Sequence, residues 1–121
     1  YVEDHCDALF KIYKNGKLGK TYNIGSGKNF DNLKIIKNLI KIAKKHIKVG
    51  EKTKIKFVKD RPGHDFRYAL NSKKILNELN WKSRISLADG LSKTFDWYLN
   101  NKSFFNSVSK KLYINRLGLK K

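Results

Sequence analysis

The stretch Asp60-Arg61-Pro62-Gly63-His64-Asp65 is the most informative part of this 121-residue sequence. Its Pro-Gly pair is typical of a turn, so we predict a loop here. The guanidinium of Arg61 has the planar fork that binds phosphate, and His64 places a second donor close by. The spacing suits a clamp for a diphosphate. A solvated turn with an Arg–Asp ion pair fits the same spacing equally well.

Outward from this loop, strand-like and helix-like segments alternate along the chain. The predicted strands cover residues 21–24, 55–58 and 66–70. The predicted helices cover residues 4–13, 33–49, a short segment from Asn71 or Ser72 to Leu79, and 87–100. Cys6, Leu9, Phe10 and Tyr13 share one face of the first helix, and Trp81 is expected to be a packing anchor. Such an alternation predicts an α/β fold. The strands are too few for a self-sufficient sheet.

The segment 33–49 has the clearest helical pattern. At about 100° per residue its lysines fall on one side and its apolar residues on the other. The lysines are Lys34, Lys37, Lys41, Lys44, Lys45 and Lys48. Such a helix either lies on a membrane surface or packs its apolar half on the protein, and we favour packing because it is commoner. Asp31 or Asn32 is expected to cap it.

The composition is strongly basic, with 28 Lys plus Arg against 10 Asp plus Glu and a formal charge of +18. A basic nucleic-acid-binding module is therefore a competing hypothesis. Only 4 of the basic residues are Arg, whereas readers of phosphates and bases usually use Arg. The abundance of Lys, Asn and Ile is also what an AT-rich genome produces. We therefore favour compositional drift, which a strong salt dependence of nucleic-acid affinity would contradict.

Several other candidate sites give weak patterns. Gly25-Ser26-Gly27-Lys28 lacks the remaining residues of a P-loop or a dinucleotide-binding loop, so we expect an ordinary strand-to-helix loop. The three histidines are not spaced as metal ligands, and His46 is expected to be half-buried and satisfied. A single cysteine, Cys6, cannot form an internal disulfide and is expected in the core. We therefore predict no catalytic residue and no metal site.

The sequence resembles one family over essentially its whole length. The matching segments are Tyr1-Val2-Glu3-Asp4-His5, Thr21-Tyr22-Asn23-Ile24-Gly25, Asn32-Leu33, residues 60–65 with Arg67-Tyr68-Ala69, Glu78-Leu79-Asn80-Trp81, Gly90-Leu91, Thr94 and Trp97-Tyr98. Together they resemble the C-terminal third of the dTDP-glucose 4,6-dehydratases, which are extended short-chain dehydrogenase/reductases. The stretch 60–65 is the most specific of these segments. Asn80 stands where the family usually has Gly, and Asn tolerates the left-handed conformation of a helix end.

The resemblance implies an NAD-dependent lyase that converts dTDP-glucose to dTDP-4-keto-6-deoxyglucose. In the family NAD takes hydride from C4, water leaves across C5–C6, and hydride returns to C6. Asn32 matches a nucleotide-contacting Asn, and the site residues Asp60, Arg61, Pro62, Gly63 and His64 match the loop that holds the nucleotide and diphosphate. Tyr113 matches a tail Tyr near the substrate phosphates. A related nucleotide-sugar epimerase or decarboxylase is disfavoured by the 60–65 stretch.

The resemblance also implies what this chain lacks. The sequence has no Met and starts at Tyr1, so we expect a piece of a longer chain. The NAD-binding Rossmann domain, the Tyr-x-x-x-Lys pair and the acid/base residues of the family belong upstream of it. Residues 1–121 are then a C-terminal substrate-binding segment, with 1–31 ending the core and 32–121 a mainly helical substrate-binding portion. This piece is expected to be inactive alone, and its parent a cytoplasmic homodimer that binds no membrane.

Overall fold

The computed structural model describes residues 1–50, 53–60, 63 and 69–107. Within these residues the regular elements are five helices. They are α1 (Val2–Asn15), α2 (Asn32–His46), α3 (Lys73–Leu79), α4 (Leu87–Asn100) and α5 (Lys102–Ser107). None of these helices has the length and apolar character needed to cross a membrane.

One small core holds α1 against α3 and the loop that follows α3. Ala8, Ile75, Leu79 and Trp81 are buried together, and Ile12 packs against them. The small side chain of Ala8 leaves room on α1 for the larger residues of the other segment. Trp81 was expected to be a packing anchor, and its exposed fraction of 4% confirms this.

A second contact joins α2 to α4. His46, the last residue of α2, places Nδ1 at 3.3 Å from the Asp96 carboxylate, and its ring lies 5.7 Å from that of Phe95. The prediction that His46 is satisfied is therefore confirmed, but the residue is exposed rather than half-buried. The hydroxyl of Ser86 caps α4 by accepting a hydrogen bond from the Asp89 N–H at 3.1 Å. The predicted bounds of α4 are correct.

The end of α3 explains why Asn is tolerated at residue 80. Asn80 is the C-cap of α3 and adopts φ 48° and ψ 43°, in the left-handed region. Asn is one of the few residues besides Gly that adopt this conformation at small cost. The sequence-based expectation for Asn80 is confirmed. At the other end of α3, the Asn71 side chain accepts a hydrogen bond from the Lys73 N–H at 3.0 Å.

The strand part of the α/β prediction is not found in the described residues. Residues 21–24 and 55–58 form no strand, and of the segment 66–70 only Ala69 and Leu70 are described, also outside any strand. A strand needs a neighbouring strand that pairs with its backbone N–H and C=O groups. Within the part of the chain that the structure describes, these short segments have no such neighbour. Helix α2 is also shorter than predicted, because Ile47 is already extended at φ −139°.

The inward face of α1 differs from the prediction. We expected Cys6 in the core, aligned with Leu9, Phe10 and Tyr13, but Cys6 is exposed. The three apolar side chains are also exposed, by 50%, 57% and 85%. The helix instead turns Asp4, Ala8 and Ile12 inward, at a spacing of four residues. The apolar pattern predicted the wrong inward face of α1 because the buried Asp4 carboxylate holds the helix in this orientation.

Candidate functional site

The start of α2 carries the first predicted site residue. The Asp31 carboxylate accepts a hydrogen bond from the Lys34 N–H at 2.7 Å, so Asp31 is the N-cap. Asn32 is the first residue of the helix and is exposed. Its side chain forms no hydrogen bond to another described residue. The alternative in which Asn32 caps the helix is therefore wrong, and its amide is free to meet a ligand.

The predicted clamp loop is described only in part. Asp60 is exposed, and Gly63 adopts φ +68° in a turn. A positive φ at a Gly that follows Pro is what a type II turn requires. The remaining predicted site residues, Arg61, Pro62, His64 and Tyr113, lie outside the described residues. No hydrogen bond between described residues joins Asn32 to Asp60 or Gly63.

A cleft of about 330 Å³ lies between the start of α1 and the first turns of α4. Its described walls are mainly apolar and include Tyr1, Phe30 and Leu87, with the hydroxyls of Ser83 and Thr94 among the polar groups. None of the described lining residues is Lys or Arg, and one is the Asp4 carboxylate. The described lining therefore offers a diphosphate no lysine or arginine. The cleft was not predicted, because its walls come from segments far apart in the sequence.

Asp4 is the buried charged group of this region, with an exposed fraction of 5%. One of its oxygens, Oδ2, accepts hydrogen bonds from the Ile85 N–H at 2.9 Å and the Arg84 N–H at 3.1 Å. Burial raises the pKa of Asp4, but these two hydrogen bonds, together with the positive charges of the amino terminus and of Arg84, hold the pKa below its ordinary value of 3.8. We therefore assign Asp4 to anchoring the loop before α4 rather than to acid/base catalysis.

Asp7 ties the same two segments together one turn later. Its Oδ2 accepts a hydrogen bond from Trp81 Nε1 at 3.0 Å and lies 3.4 Å from Arg84 Nη2. The polar edge of the indole is thereby satisfied while its rings remain in the core. The sequence favours Asp4 and Asp7 as the negative charges of a helix start, and it does not reveal their shared role. The spacing of four residues between Asp4, Ala8 and Ile12 is the sequence feature that points to this face.

The loop before α2 does not fit a dinucleotide cofactor. A dinucleotide-binding loop presents free helix N–H groups to a pyrophosphate. Here the Asp31 carboxylate occupies the Lys34 N–H and adds a negative charge at the same helix end. Gly27 has φ +69° and open space around its Cα. The prediction that residues 25–28 are an ordinary loop agrees with this geometry, although no strand precedes it.

Across residues 1–50, 53–60, 63 and 69–107 there is no group of three His, Cys, Asp or Glu side chains that could hold a metal ion. Cys6 is exposed on α1, and His5, its neighbour in sequence, lines the cleft. Adjacent residues of a helix point apart, so they do not form a nucleophile and base pair.

Comparison with known proteins identifies the family. A sequence model described as "GDP-mannose 4,6 dehydratase" matches residues 1–94, which is more than half of the chain. The chain belongs to the GDP-mannose 4,6 dehydratase family. The matched segment contains the whole core of α1, α3 and Trp81, the start of α2, and the 60–65 stretch.

Individual members of the GDP-mannose 4,6 dehydratase family confirm the resemblance found in the sequence. The dTDP-glucose 4,6-dehydratase of Escherichia coli is 38% identical over 126 residues, which cover 98% of this chain and 35% of that enzyme. Similar enzymes from Xanthomonas campestris are 32% identical over 98% of the chain. The chain thus spans about a third of the length of these curated relatives.

Solved structures of similar proteins support the same family. The dTDP-glucose 4,6-dehydratase of Bacillus anthracis, crystallised in complex with NAD, matches with a TM-score of 0.72 and 33% identity. The match covers 85% of this chain and 31% of that one. The described helices therefore follow the backbone of part of a larger NAD-binding enzyme.

Proposed function

We propose that this chain is the C-terminal, substrate-binding part of an NAD-dependent dTDP-glucose 4,6-dehydratase. The parent enzyme would convert dTDP-glucose to dTDP-4-keto-6-deoxyglucose and water. The observation that carries the proposal is the 38% identity to a dTDP-glucose 4,6-dehydratase over 98% of this chain. The specific stretch 60–65 lies inside the matched residues.

The proposed nucleotide-binding site has two parts, one that contacts the neutral nucleoside and one that contacts the charged diphosphate. Asn32 is exposed, and it does not cap α2 because Asp31 does so. The Asn32 side-chain amide can therefore form hydrogen bonds with a neutral polar group of the nucleoside. The Asp31 carboxylate next to it disfavours a phosphate at the same helix end. We therefore assign the diphosphate to Arg61 and His64, on the loop that contains Asp60, Pro62 and Gly63. Tyr113 is proposed to lie near the substrate phosphates.

The proposal places the reaction chemistry outside this chain. Residues 25–28 do not fit a dinucleotide, so NAD and the acid/base groups are assigned to an N-terminal domain of the parent. The contribution of this chain is to bind and orient the nucleotide end of the substrate. The proposal includes a homodimeric, cytoplasmic parent and no activity for residues 1–121 alone. The nucleic-acid-binding alternative is not favoured by the comparisons.

Substrate preference tests the proposed function directly. Full-length enzyme would be given dTDP-glucose and GDP-mannose separately, and the loss of one water from each would be followed by mass spectrometry. We expect kcat/KM for dTDP-glucose to be at least about 100-fold higher, because a site that hydrogen-bonds one base rejects another strongly. Equal turnover, or a preference for GDP-mannose, would contradict the substrate assignment while leaving the family assignment intact.

The neighbouring residues Asp31 and Asn32 are predicted to have separable roles. Asp31→Ala removes the N-cap and should cost about 1 kcal/mol of helix stability, lowering the thermal midpoint. Its dTDP affinity should be unchanged or slightly higher, because a negative charge is lost. Asn32→Ala should leave the midpoint unchanged and weaken dTDP binding about three- to ten-fold. Calorimetry on both full-length variants checks this, and an unchanged affinity in Asn32→Ala would remove Asn32 from the site.

A further inference from the structure

The outer face of α2 carries a row of positive charge that the proposed nucleotide site does not use. Five lysines of the helix, which we call the lysine row, are all exposed. They are Lys34, Lys37, Lys41, Lys44 and Lys45. At about 1.5 Å per residue they extend over roughly 16 Å along one side of the helix.

The lysine row has no negative partner in the described part of the chain. No Asp or Glu lies between Asn32 and Gly50 in the sequence. Among the described residues none of the five forms an ion pair, and the one aromatic contact is Lys34 over the Phe30 ring at 5.3 Å. An ordinary solvated helix face mixes acidic and basic residues, which pair at i and i+4. This face instead repeats like charges at spacings of three and four, which destabilise an isolated helix.

The geometry of α2 restricts how a partner could bind. The side opposite the lysine row packs on α4, where His46 contacts Asp96 and Phe95. The apolar half of α2 thus faces α4, although no residue of α2 is fully buried and Leu33 and Ile36 remain 36% and 39% exposed. The opposite side of the helix presents the exposed line of ammonium groups of the lysine row. Such a line can adsorb on a negatively charged surface without penetrating it.

The residue types favour a lipid surface over a nucleic acid. The lysine row contains no Arg and no Trp, Tyr or Phe between its lysines. Arg supplies the bidentate fork for nucleic-acid phosphates, and aromatic rings supply stacking for bases. Lysines are hydrated point charges, and clusters of four to eight on an amphipathic helix are typical of proteins that bind anionic lipid headgroups. In place of the expectation from the sequence that the parent binds no membrane, we infer that α2 docks the protein peripherally on an anionic lipid surface through the lysine row.

The test uses the full-length protein and two variants of equal net charge. In the row variant Lys37, Lys41, Lys44 and Lys45 are each changed to Gln, and Lys34 is kept because it adjoins the cap. The control variant carries Lys→Gln at four exposed positions elsewhere: Lys17, Lys20, Lys54 and Lys102. Binding is measured by co-sedimentation with vesicles of one part phosphatidylglycerol to two parts phosphatidylcholine, and with pure phosphatidylcholine vesicles. Far-ultraviolet circular dichroism confirms that both variants are folded.

A large loss of binding to anionic vesicles is expected only in the row variant. Wild type should bind the anionic vesicles and not the neutral ones, and binding should weaken as salt screens the charges. The row variant should lose at least about 100-fold in affinity, since each lysine near such a surface contributes about five-fold. The control should stay within about three-fold of wild type. All three proteins should bind dTDP equally, so this outcome is independent of the proposed function.

Three results would overturn the inference. Absence of binding by wild type to anionic vesicles would show that the row is only solvated. Equal losses in the two variants would assign any binding to net charge rather than to α2. Tighter binding to a short DNA duplex than to vesicles at the same salt, lost only in the row variant, would make the partner a nucleic acid.

Discussion

Arg61→Ala in the full-length enzyme is expected to weaken dTDP binding ten-fold or more with the fold intact. The change removes the charged donor that the proposed clamp offers to the diphosphate. A hydrogen bond to a charged group contributes roughly 1.5–3 kcal/mol, and 1.4 kcal/mol is ten-fold in affinity. Isothermal titration of dTDP into wild type and variant measures the loss, and circular dichroism confirms the fold.

Arg61→Lys is the matched control for this loss. It keeps the positive charge but removes the planar fork that binds two phosphate oxygens together. Its affinity should therefore lie between those of wild type and Arg61→Ala. Binding of dTDP to Arg61→Ala as tightly as to wild type would reduce Arg61 to a turn residue and end the clamp assignment. The same titrations with dTMP and thymidine, which carry fewer phosphates or none, test the position of Arg61. An equal loss of affinity for dTDP, dTMP and thymidine in Arg61→Ala would place Arg61 away from the diphosphate.

Asp4→Ala is expected to release the loop before α4. The Arg84 and Ile85 N–H groups both donate to Asp4 Oδ2, and they lose this acceptor in the variant. Buried donors left unpaired cost roughly 1–3 kcal/mol, so their protection against hydrogen exchange should fall about ten- to a hundred-fold. Amide exchange measured on the full-length protein reports these two positions directly.

Asp4→Asn separates the acceptor from the charge. Because both hydrogen bonds end on one oxygen, the single carbonyl oxygen of Asn can accept both. Protection of the two amides should therefore fall much less than in Asp4→Ala. Equal losses in the Asn and Ala variants would show that the charge, rather than the acceptor geometry, holds the loop.

The difference in stability between wild type and Asp4→Asn is expected to depend on pH. The folded-state pKa of Asp4 lies below its ordinary value of 3.8, so the unfolded chain binds the proton more readily. The stability that the charge adds is complete above about pH 4 and declines as the pH falls through the folded pKa. Wild type should be more stable than Asp4→Asn at neutral pH, and the two should converge in acid. Urea unfolding at several pH values measures the difference.

Helical periodicity and capping chemistry were enough to predict most of the helices. The residues 87–100 were predicted with the observed bounds of α4, and Trp81 and Asn80 were assigned their observed roles. Helix α5 was missed because its packing depends on Phe104, whose ring meets that of Trp97 at 5.4 Å. Such a contact exists only once α4 and α5 are placed in space.

The errors share one physical cause, which is that burial depends on partners distant in the sequence. The strand-like segments 21–24 and 55–58 have suitable residues but no neighbouring strand in the described structure. The face of α1 was misassigned because Asp4 satisfies two backbone donors that sequence patterns do not reveal. The candidate site came from the resemblance, and the structure added that Asp31 rather than Asn32 caps α2.

The hydrogen bond between Asp4 and Ile85 also has a consequence for folding during synthesis on the ribosome. The two residues are 81 positions apart, so the acceptor is made long before its donor. At about 5–20 residues per second, helix α1 emerges roughly 4–16 s before the loop whose N–H groups donate to its Asp4 carboxylate. During that interval Ala8 lacks its cover as well, because Ile75, Leu79 and Trp81 are also still to come. The first helix of the segment therefore reaches its native packing among the last.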